Sequence, residues 1–297
     1  MNLQQKSIGW IGTGVMGVSM CSHAMKLARE TYVYNRTKSK AQSLLDKGAI
    51  WCESVEEVAQ RADIIFTIID YPKDVEETYL GKNGLNNGLI NSAKKGTILV
   101  DMTTSSPTLA QKIFNEAKKR GIHVLDAPVT GGDIGAKNGT LVIMVGGEKQ
   151  VFKEVKPYFD EMGSVVSFMG EDAGVGQHTK LANQIGIAGS IIGTCEALLY
   201  AAKTGIDLGL FIETIKGGSA GSWQLTNMGP RIVQENFEPG FYIKHFIKDM
   251  RLALEECEKM DLKLQGLKLV YSIYKKVKDT KEEDLGIQGL YKILQEM

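Results

Sequence analysis

The sequence is poor in the residues that staple small folds or hold metals. Its four cysteines, Cys21, Cys52, Cys195 and Cys257, show neither pairing nor metal-ligand spacing, and its four histidines are scattered. That excludes a disulfide scaffold and gives no ligand set for a metal; the thiols read as the reduced cysteines of a cytoplasmic protein. Charge of one sign is also lacking. Lys plus Arg number 35 and Asp plus Glu number 35, so no global field recruits nucleic acid or an anionic membrane. Repeats and low-complexity tracts are absent. The N-terminal Met1–Lys6 is polar, unlike the start of a secretion signal. One apolar run, 185–202, approaches the ~20 residues of a membrane span. Glu196, Ser190, Thr194 and three glycines interrupt it, so it is expected to be a buried helix of a soluble protein, with no membrane partner.

What is present is a chain of 297 residues, long enough for two domains. Over the first ~170 residues, short Val- and Ile-rich runs alternate with amphipathic segments, the pattern of βαβ units around a parallel sheet. Strands are predicted at 7–11, 31–34, 64–69, 97–101, 123–126, 141–145 and 165–168, with helices at 14–29, 38–47, 54–61, 107–120 and 149–161. Ser54-x-x-Glu57 is a capping-box pattern and Pro107 suits a helix start. After Gly176 no convincing strand follows. Helices are expected at 178–204, 208–216, 222–235, 243–260, 264–277 and 285–295, with Asp207 and Ser222 as N-caps and Gly205 as a C′ residue. The fold class is therefore α/β: a doubly wound Rossmann domain, residues 1–173, joined by one long helix to an all-α domain, residues 174–297.

Gly12-Thr13-Gly14-Val15-Met16-Gly17 follows the first strand and opens the first helix. Gly12 permits the tight turn, Gly14 lets backbone approach a pyrophosphate, and Gly17 allows close helix–strand packing. The helix start then offers free N–H groups to phosphate. An NAD site usually has Asp or Glu at the end of the second strand, for the ribose 2′-hydroxyl. Here Asn35-Arg36-Thr37 stands instead. With no carboxylate to repel a 2′-phosphate, Arg36 can fork onto it while Asn35 and Thr37 donate further bonds. NADP is the expected cofactor, with NAD possible.

Two further constellations lie beyond. Asp126-Ala127-Pro128-Val129-Thr130-Gly131-Gly132 ends a strand and turns sharply, exposing backbone N–H groups that could hold a carboxylate or could simply form a Gly-rich loop. Gly174-Val175-Gly176 precedes the long helix, with Lys180, Asn183 and Gln184 in its first turns. A lysine near a helix start is unfavourable with the dipole, and most such lysines are solvated. The apolar run that follows implies a mostly buried helix, and a partly buried lysine has a depressed pKa suited to proton exchange near neutrality.

These motifs, in this order, resemble the β-hydroxyacid dehydrogenases, whose members include 3-hydroxyisobutyrate dehydrogenase, tartronate semialdehyde reductase, glyoxylate/succinic semialdehyde reductase and, more distantly, 6-phosphogluconate dehydrogenase. Four segments carry the resemblance across the whole chain: Gly12–Gly17, Asp101-Met102-Thr103-Thr104, Asp126 through Gly139-Thr140-Leu141, and Gly174-x-Gly176-x-x-x-Lys180. It implies that Lys180 is the catalytic lysine, that Thr130, Gly131 and Gly132 hold the substrate carboxylate, and that Thr104 lines the nicotinamide end. It also implies that Phe241, Lys248 and Asp249 belong to a segment closing over cofactor and substrate. The family commonly has Ser where Thr130 stands. It often has Asn four residues after the lysine; here Asn183 is at three and Gln184 at four, so Gln184 is expected to face substrate. Ser222 and Trp223 are further candidates for the pocket. The implied chemistry is hydride transfer between nicotinamide and a short β-hydroxyacid or aldehyde acid, with Lys180 as general acid or base, in a homodimer or homotetramer. Two other readings remain open: an imine reductase on the same scaffold, which often replaces the lysine, and a non-catalytic dinucleotide sensor.

Overall fold

The computed structural model describes residues 6–82 and 87–297. Of the polar N-terminal segment, only Lys6 is among the described residues. The chain divides into two compact units, Met1–Lys180 and Leu181–Met297. The division falls inside the helix Val175–Lys203, whose first turn is hydrogen-bonded to Asp126 of the first unit.

Among the described residues of the first unit, nine strands form one sheet: β1 (Ile8–Ile11), β2 (Thr31–Tyr34), β3 (Ile50–Trp51), β4 (Ile64–Thr67), β5 (Ile98–Asp101), β6 (His123–Asp126), β7 (Val129–Thr130), β8 (Leu141–Gly147) and β9 (Gly163–Gly170). Their order is β3-β2-β1-β4-β5-β6-β8-β7, with β9 on β8. β1 to β6 run parallel, and β8 is antiparallel to β6 and β7. The order 3-2-1-4-5-6 is the doubly wound one, and its ligand crevice lies outside the carboxyl ends of β1 and β4. Gly12 stands there.

The strands are apolar on both sides because helices cover both faces. Ile8 and Trp10 of β1 point into one core with Val33, Ile64, Phe66, Ile98 and Val100. Ile11 points into the other with Tyr32, Ile65, Leu99 and Val124. A Cβ at Gly9 would stand 2.5 Å from Val58, so glycine lets the helix Val55–Arg61 lie flush on β1.

The caps behave as expected. Ser54 Oγ accepts from Glu57 N–H at 3.2 Å, Asp207 Oδ1 from Leu210 N–H at 2.7 Å and Ser222 Oγ from Leu225 N–H at 3.0 Å, while Gly205 has φ +75°. Other details differ from the sequence reading. The two-residue strands β3 and β7 are too short to show a period of two. The helices Pro72–Leu80, Leu89–Ser92 and Gly132–Asn138 were also unexpected, the last because its glycines read as a turn. The single helix expected over 222–235 is two, Trp223–Asn227 and Gly229–Val233. Pro230 has no N–H to continue the first, so the chain restarts at Gly229.

The second unit buries Leu181, Ala188, Ile191, Cys195 and Leu198 with Phe246, Met250, Leu267, Tyr274 and Leu290. Val175–Lys203 is long and apolar enough to cross a membrane, yet only 33% of its most apolar window is buried. The expected buried helix is thus buried along one stripe. Elsewhere it carries Gly186, Gly189 and Gly193, where an added Cβ would meet no atom within 4 Å, and the exposed Tyr200.

Candidate active site

The phosphate turn is built by exclusion of side chains. Gly12 has φ +96°, and a Cβ there would stand 2.1 Å from Ile68 O. A Cβ at Gly17 would stand 2.1 Å from Gly12 O. Both positions therefore demand glycine for the fold itself. A Cβ at Gly14 would meet no neighbouring atom within 4 Å, so the space beside this backbone is open to a ligand. The helix Val15–Ala24 has no side-chain cap and no acidic residue in its first turn, so its leading N–H groups suit phosphate. Val15 is exposed at its start, Met16 is half-buried, and the buried Thr13 Oγ1 has no protein partner. This cradle fits a dinucleotide.

Asn35 at the end of β2 serves the turn. Its Oδ1 accepts from Thr13 N–H at 3.1 Å, and its Nδ2 donates to Thr37 O at 3.0 Å. The guanidinium of Arg36 lies 3.3 Å from Asp74 Oδ1 and 3.7 Å from Asp70 Oδ2, with its side chain 72% exposed. No acid stands at the end of β2, as the sequence indicated, but the expectation that Arg36 has no carboxylate beside it is corrected: Asp70 and Asp74, which follow β4 and which no local motif links to Arg36, face it.

The next two strand ends carry buried carboxylates in register, Asp101 of β5 beside Asp126 of β6. Asp101 Oδ1 accepts from Thr103 N–H at 3.0 Å and from Thr67 Oγ1 at 3.0 Å. Thr67 in turn meets the hydroxyl of Tyr79 at 2.9 Å. Burial pushes the Asp101 carboxyl up to about 6, against the opposing pull of its Thr103 and Thr67 hydrogen bonds. Thr103 Oγ1 accepts from Ile69 N–H at 3.0 Å, so the loop bearing Thr104 is tied to both β4 and β5.

Asp126 takes the start of the long helix. Its Oδ1 accepts from Gly174 N–H at 2.9 Å and its Oδ2 from Gln177 N–H at 2.8 Å. Burial raises its carboxyl above the ordinary value, and these backbone N–H groups oppose the rise. The Gly174-x-Gly176 spacing is explained here. A Cβ at Gly176 would stand 2.6 Å from Met144 O and 2.8 Å from Asp126 Oδ2; Gly174 has φ +89°. Lys180 follows one turn later, 5% exposed. In the same unit, Thr130 of β7 pairs with Val142, and Gly131 (φ +127°) and Gly132 (φ +65°) open the helix Gly132–Asn138 with backbone angles that favour glycine.

The second unit holds its own polar cluster. Gln184 Nε2 donates to Asp249 Oδ2 at 2.6 Å, Gln184 Oε1 accepts from Asn183 Nδ2 at 2.9 Å, and Lys248 Nζ lies 3.3 Å from Asp249 Oδ1. Gln184, Lys248 and Asp249 are buried, whereas Asn183 is half-buried. The amide expected to face substrate is thus engaged by Asp249. Phe241 packs edge-on against Phe246 at 5.9 Å between ring centres. Ser222 is occupied as an N-cap, and Trp223 is exposed. The sequence reading assigned no part to Gln177, Asp70 or Asp74, and placed Asp126 only at a strand end, without a role of its own. An acid closing a buried strand was the one local signal available.

Comparison with known proteins agrees with this architecture. Residues 7–170 match the family model described as the NAD binding domain of 6-phosphogluconate dehydrogenase. Residues 174–294 match the one described as the NAD-binding of NADP-dependent 3-hydroxyisobutyrate dehydrogenase. The chain is 52% identical to an uncharacterized oxidoreductase of Bacillus subtilis, over 97% of this chain and 99% of that protein. It is 46% identical to a probable mitochondrial 3-hydroxyisobutyrate dehydrogenase-like protein of Arabidopsis thaliana, over 98% of this chain and 85% of that one. A solved structure of Mycobacterium tuberculosis 3-hydroxyisobutyrate dehydrogenase with L-serine superposes with a TM-score of 0.87 at 25% identity, covering 98% of this chain and 99% of that one. A glycine cradle on a doubly wound sheet, a buried lysine after Gly174-x-Gly176 and two matching family models lead to one conclusion: the chain belongs to the NAD(P)-dependent β-hydroxyacid dehydrogenase family.

Proposed function

We propose that this chain is an NADPH-preferring enzyme that reduces a short aldehyde acid to its hydroxyacid, with Lys180 as general acid, and as general base in the reverse direction. The substrate class is that of tartronate semialdehyde, succinic semialdehyde, glyoxylate or the 3-hydroxyisobutyrate couple, each with a carboxylate near the carbon that changes oxidation state. The observation that carries the reading is Lys180 itself, a buried lysine on a helix start whose position is fixed by Asp126. The nicotinamide supplies the hydride when bound. The protein's tasks are to orient and to move one proton. Thr130 and the Gly131 and Gly132 amides hold the substrate carboxylate, Thr104 borders the nicotinamide end, and Lys180 Nζ gives its proton to the developing alkoxide oxygen. Proton transfer of this kind contributes ~10²–10⁴-fold.

NADPH preference rests on Arg36, whose guanidinium suits a 2′-phosphate bidentately. Asp70 and Asp74 moderate that preference. The Asn183–Gln184–Asp249–Lys248 cluster and Phe241 are assigned to substrate selection. Pairing of two copies along the Gly186–Gly189–Gly193 stripe makes the chain a homodimer or homotetramer; a monomer by light scattering at micromolar concentration would refute that. The reading as a whole is tested by NADPH and NADH oxidation over a panel of aldehyde acids with the purified chain. Activity with none of them, or stronger activity with NADH, would sink it.

A further inference from the structure

We infer that Gln177, locked onto Asp126, is a positioning residue that sets Lys180 against the loop carrying Thr104; this rests on the proposed role of Lys180. Gln177 is 0% exposed and, outside the helix ladder, makes three hydrogen bonds within the first unit. Its Oε1 accepts from Ser105 N–H at 2.8 Å, its Nε2 donates to Thr103 O at 2.7 Å, and its backbone N–H donates to Asp126 Oδ2 at 2.8 Å. One amide therefore grips the peptide groups on both sides of Thr104 while its own backbone is held from beneath. With no acidic residue in its first turn, the helix Val175–Lys203 draws on Asp126 where a local capping side chain would otherwise serve. The space for that carboxylate exists because Gly146 and Gly176 lack side chains; a Cβ on either would approach Asp126 carboxylate oxygens to 2.7 and 2.8 Å.

The consequence for Lys180 follows from helix geometry. Residues three apart lie on neighbouring positions of one face. Fixing the rotation of the helix at Gln177 thus fixes the direction in which Lys180 leaves it. A proton donor has to come within about 2.6–3.2 Å of its target, and a misplacement of ~1 Å can cost ~10²-fold. Gln177 touches neither substrate nor proton; its effect on turnover passes through the lysine, which it holds in register with the Thr104 loop.

The test is a double-mutant cycle read in kcat with NADPH and the aldehyde acid the wild type reduces best. Gln177→Met keeps the length and removes both side-chain hydrogen bonds. Gln177→Glu keeps the acceptor for Ser105 N–H and loses the donor to Thr103 O. In the wild-type background, Gln177→Met is expected to lower kcat by ~10–100-fold and Gln177→Glu by less, with NADPH affinity by fluorescence within ~2-fold of wild type. The same substitutions are then made with Lys180→Ala and assayed with added methylammonium, a diffusible proton donor. The comparison uses rescued turnover, or residual turnover where the amine does not rescue. There the cost of either Gln177 substitution is expected to shrink to ~2-fold or less, because no tethered donor remains to be aimed. An equal cost in both backgrounds, or wild-type turnover of Gln177→Met, overturns the inference. If Gln177→Met does not fold, the Gln177→Glu cycle decides alone. Wild-type turnover of Lys180→Ala instead overturns the role of Lys180, which separates the two failures.

Discussion

In the sheet-bearing unit, the buried Asp126 carboxylate is held by the main-chain N–H groups of Gly174 and Gln177, and Asp101 by the Thr103 N–H together with the Thr67 hydroxyl. In the helical unit, the buried Asp249 is held by side chains, Gln184 and Lys248. The difference has a physical origin. The carboxyl end of a parallel strand leaves loop amides converging on one place, so an acid there finds its donors in the backbone. A helix interior has spent its amides on itself, so a buried acid between helices depends on other side chains. Groups held by backbone keep their positions through most substitutions, whereas a side-chain cluster can be rebuilt one residue at a time. On that contrast, the proposed function assigns proton transfer to groups seated by backbone and substrate selection to a cluster seated by side chains.

The sharpest way to break the contrast is Lys180. Lys180→Ala should lower kcat by ~10²–10⁴-fold with NADPH binding nearly unchanged. Lys180→Arg should rescue little, since a guanidinium keeps its proton near neutrality. Steady-state kinetics with fluorescence titration of NADPH reads both, and an arginine variant of near wild-type kcat would demote Lys180 to a carboxylate binder. Next comes stability. Asp249→Asn removes the carboxylate beside a buried ammonium and should cost about 3–5 kcal/mol. Asp126→Asn keeps one acceptor oxygen for the helix start and should cost about 1–3 kcal/mol. Urea unfolding of the two variants compares them directly; the reverse order would mean that backbone donors are the more demanding partners.

Smaller effects are expected at the nucleotide edge. Arg36→Ala should raise KM for NADPH by ~10–100-fold and leave NADH almost untouched, whereas Asp74→Asn should lower the NADPH value by a few-fold, roughly, by freeing Arg36 from a competitor. Unchanged kinetics in Asp74→Asn would show that the Arg36–Asp74 pair does not oppose the phosphate. A pH dependence is also expected. The Asp101 carboxyl is raised from its ordinary 3.8 to about 6, so between those values the folded chain keeps a proton that the unfolded chain has released. Its contribution to stability therefore falls as pH rises through that window and is level above it. Asp101→Asn has no such titration, so the stability of wild type relative to this variant should decline from pH 4 to pH 6 in paired denaturant titrations. A flat difference would place the Asp101 carboxyl near its ordinary value.

The sequence by itself determined what depends on residues close along the chain. Alternating Val- and Ile-rich runs specified the βαβ units, and Ser54, Asp207 and Ser222 specified helix starts through bonds spanning three residues. The spacing of Gly12, Gly14 and Gly17 after the first strand specified the phosphate turn; the clash of a Gly17 Cβ with Gly12 O is local to it, whereas the clash of a Gly12 Cβ with Ile68 O is a tertiary contact. The motif order located Lys180 on the start of a long helix. Tertiary structure alone decided what crosses the chain: Asp74 beside Arg36 at a separation of 38 residues, Asp126 under the lysine helix at 48 and 51, and Gln177 on the Thr104 loop at 72 and 74. It also decided that Gln184 is taken by Asp249 and that β3 and β7 pair at all. Such contacts leave no period, cap or spacing in the sequence, since each is fixed by which strand ends the parallel sheet brings side by side or which helices the second core packs together.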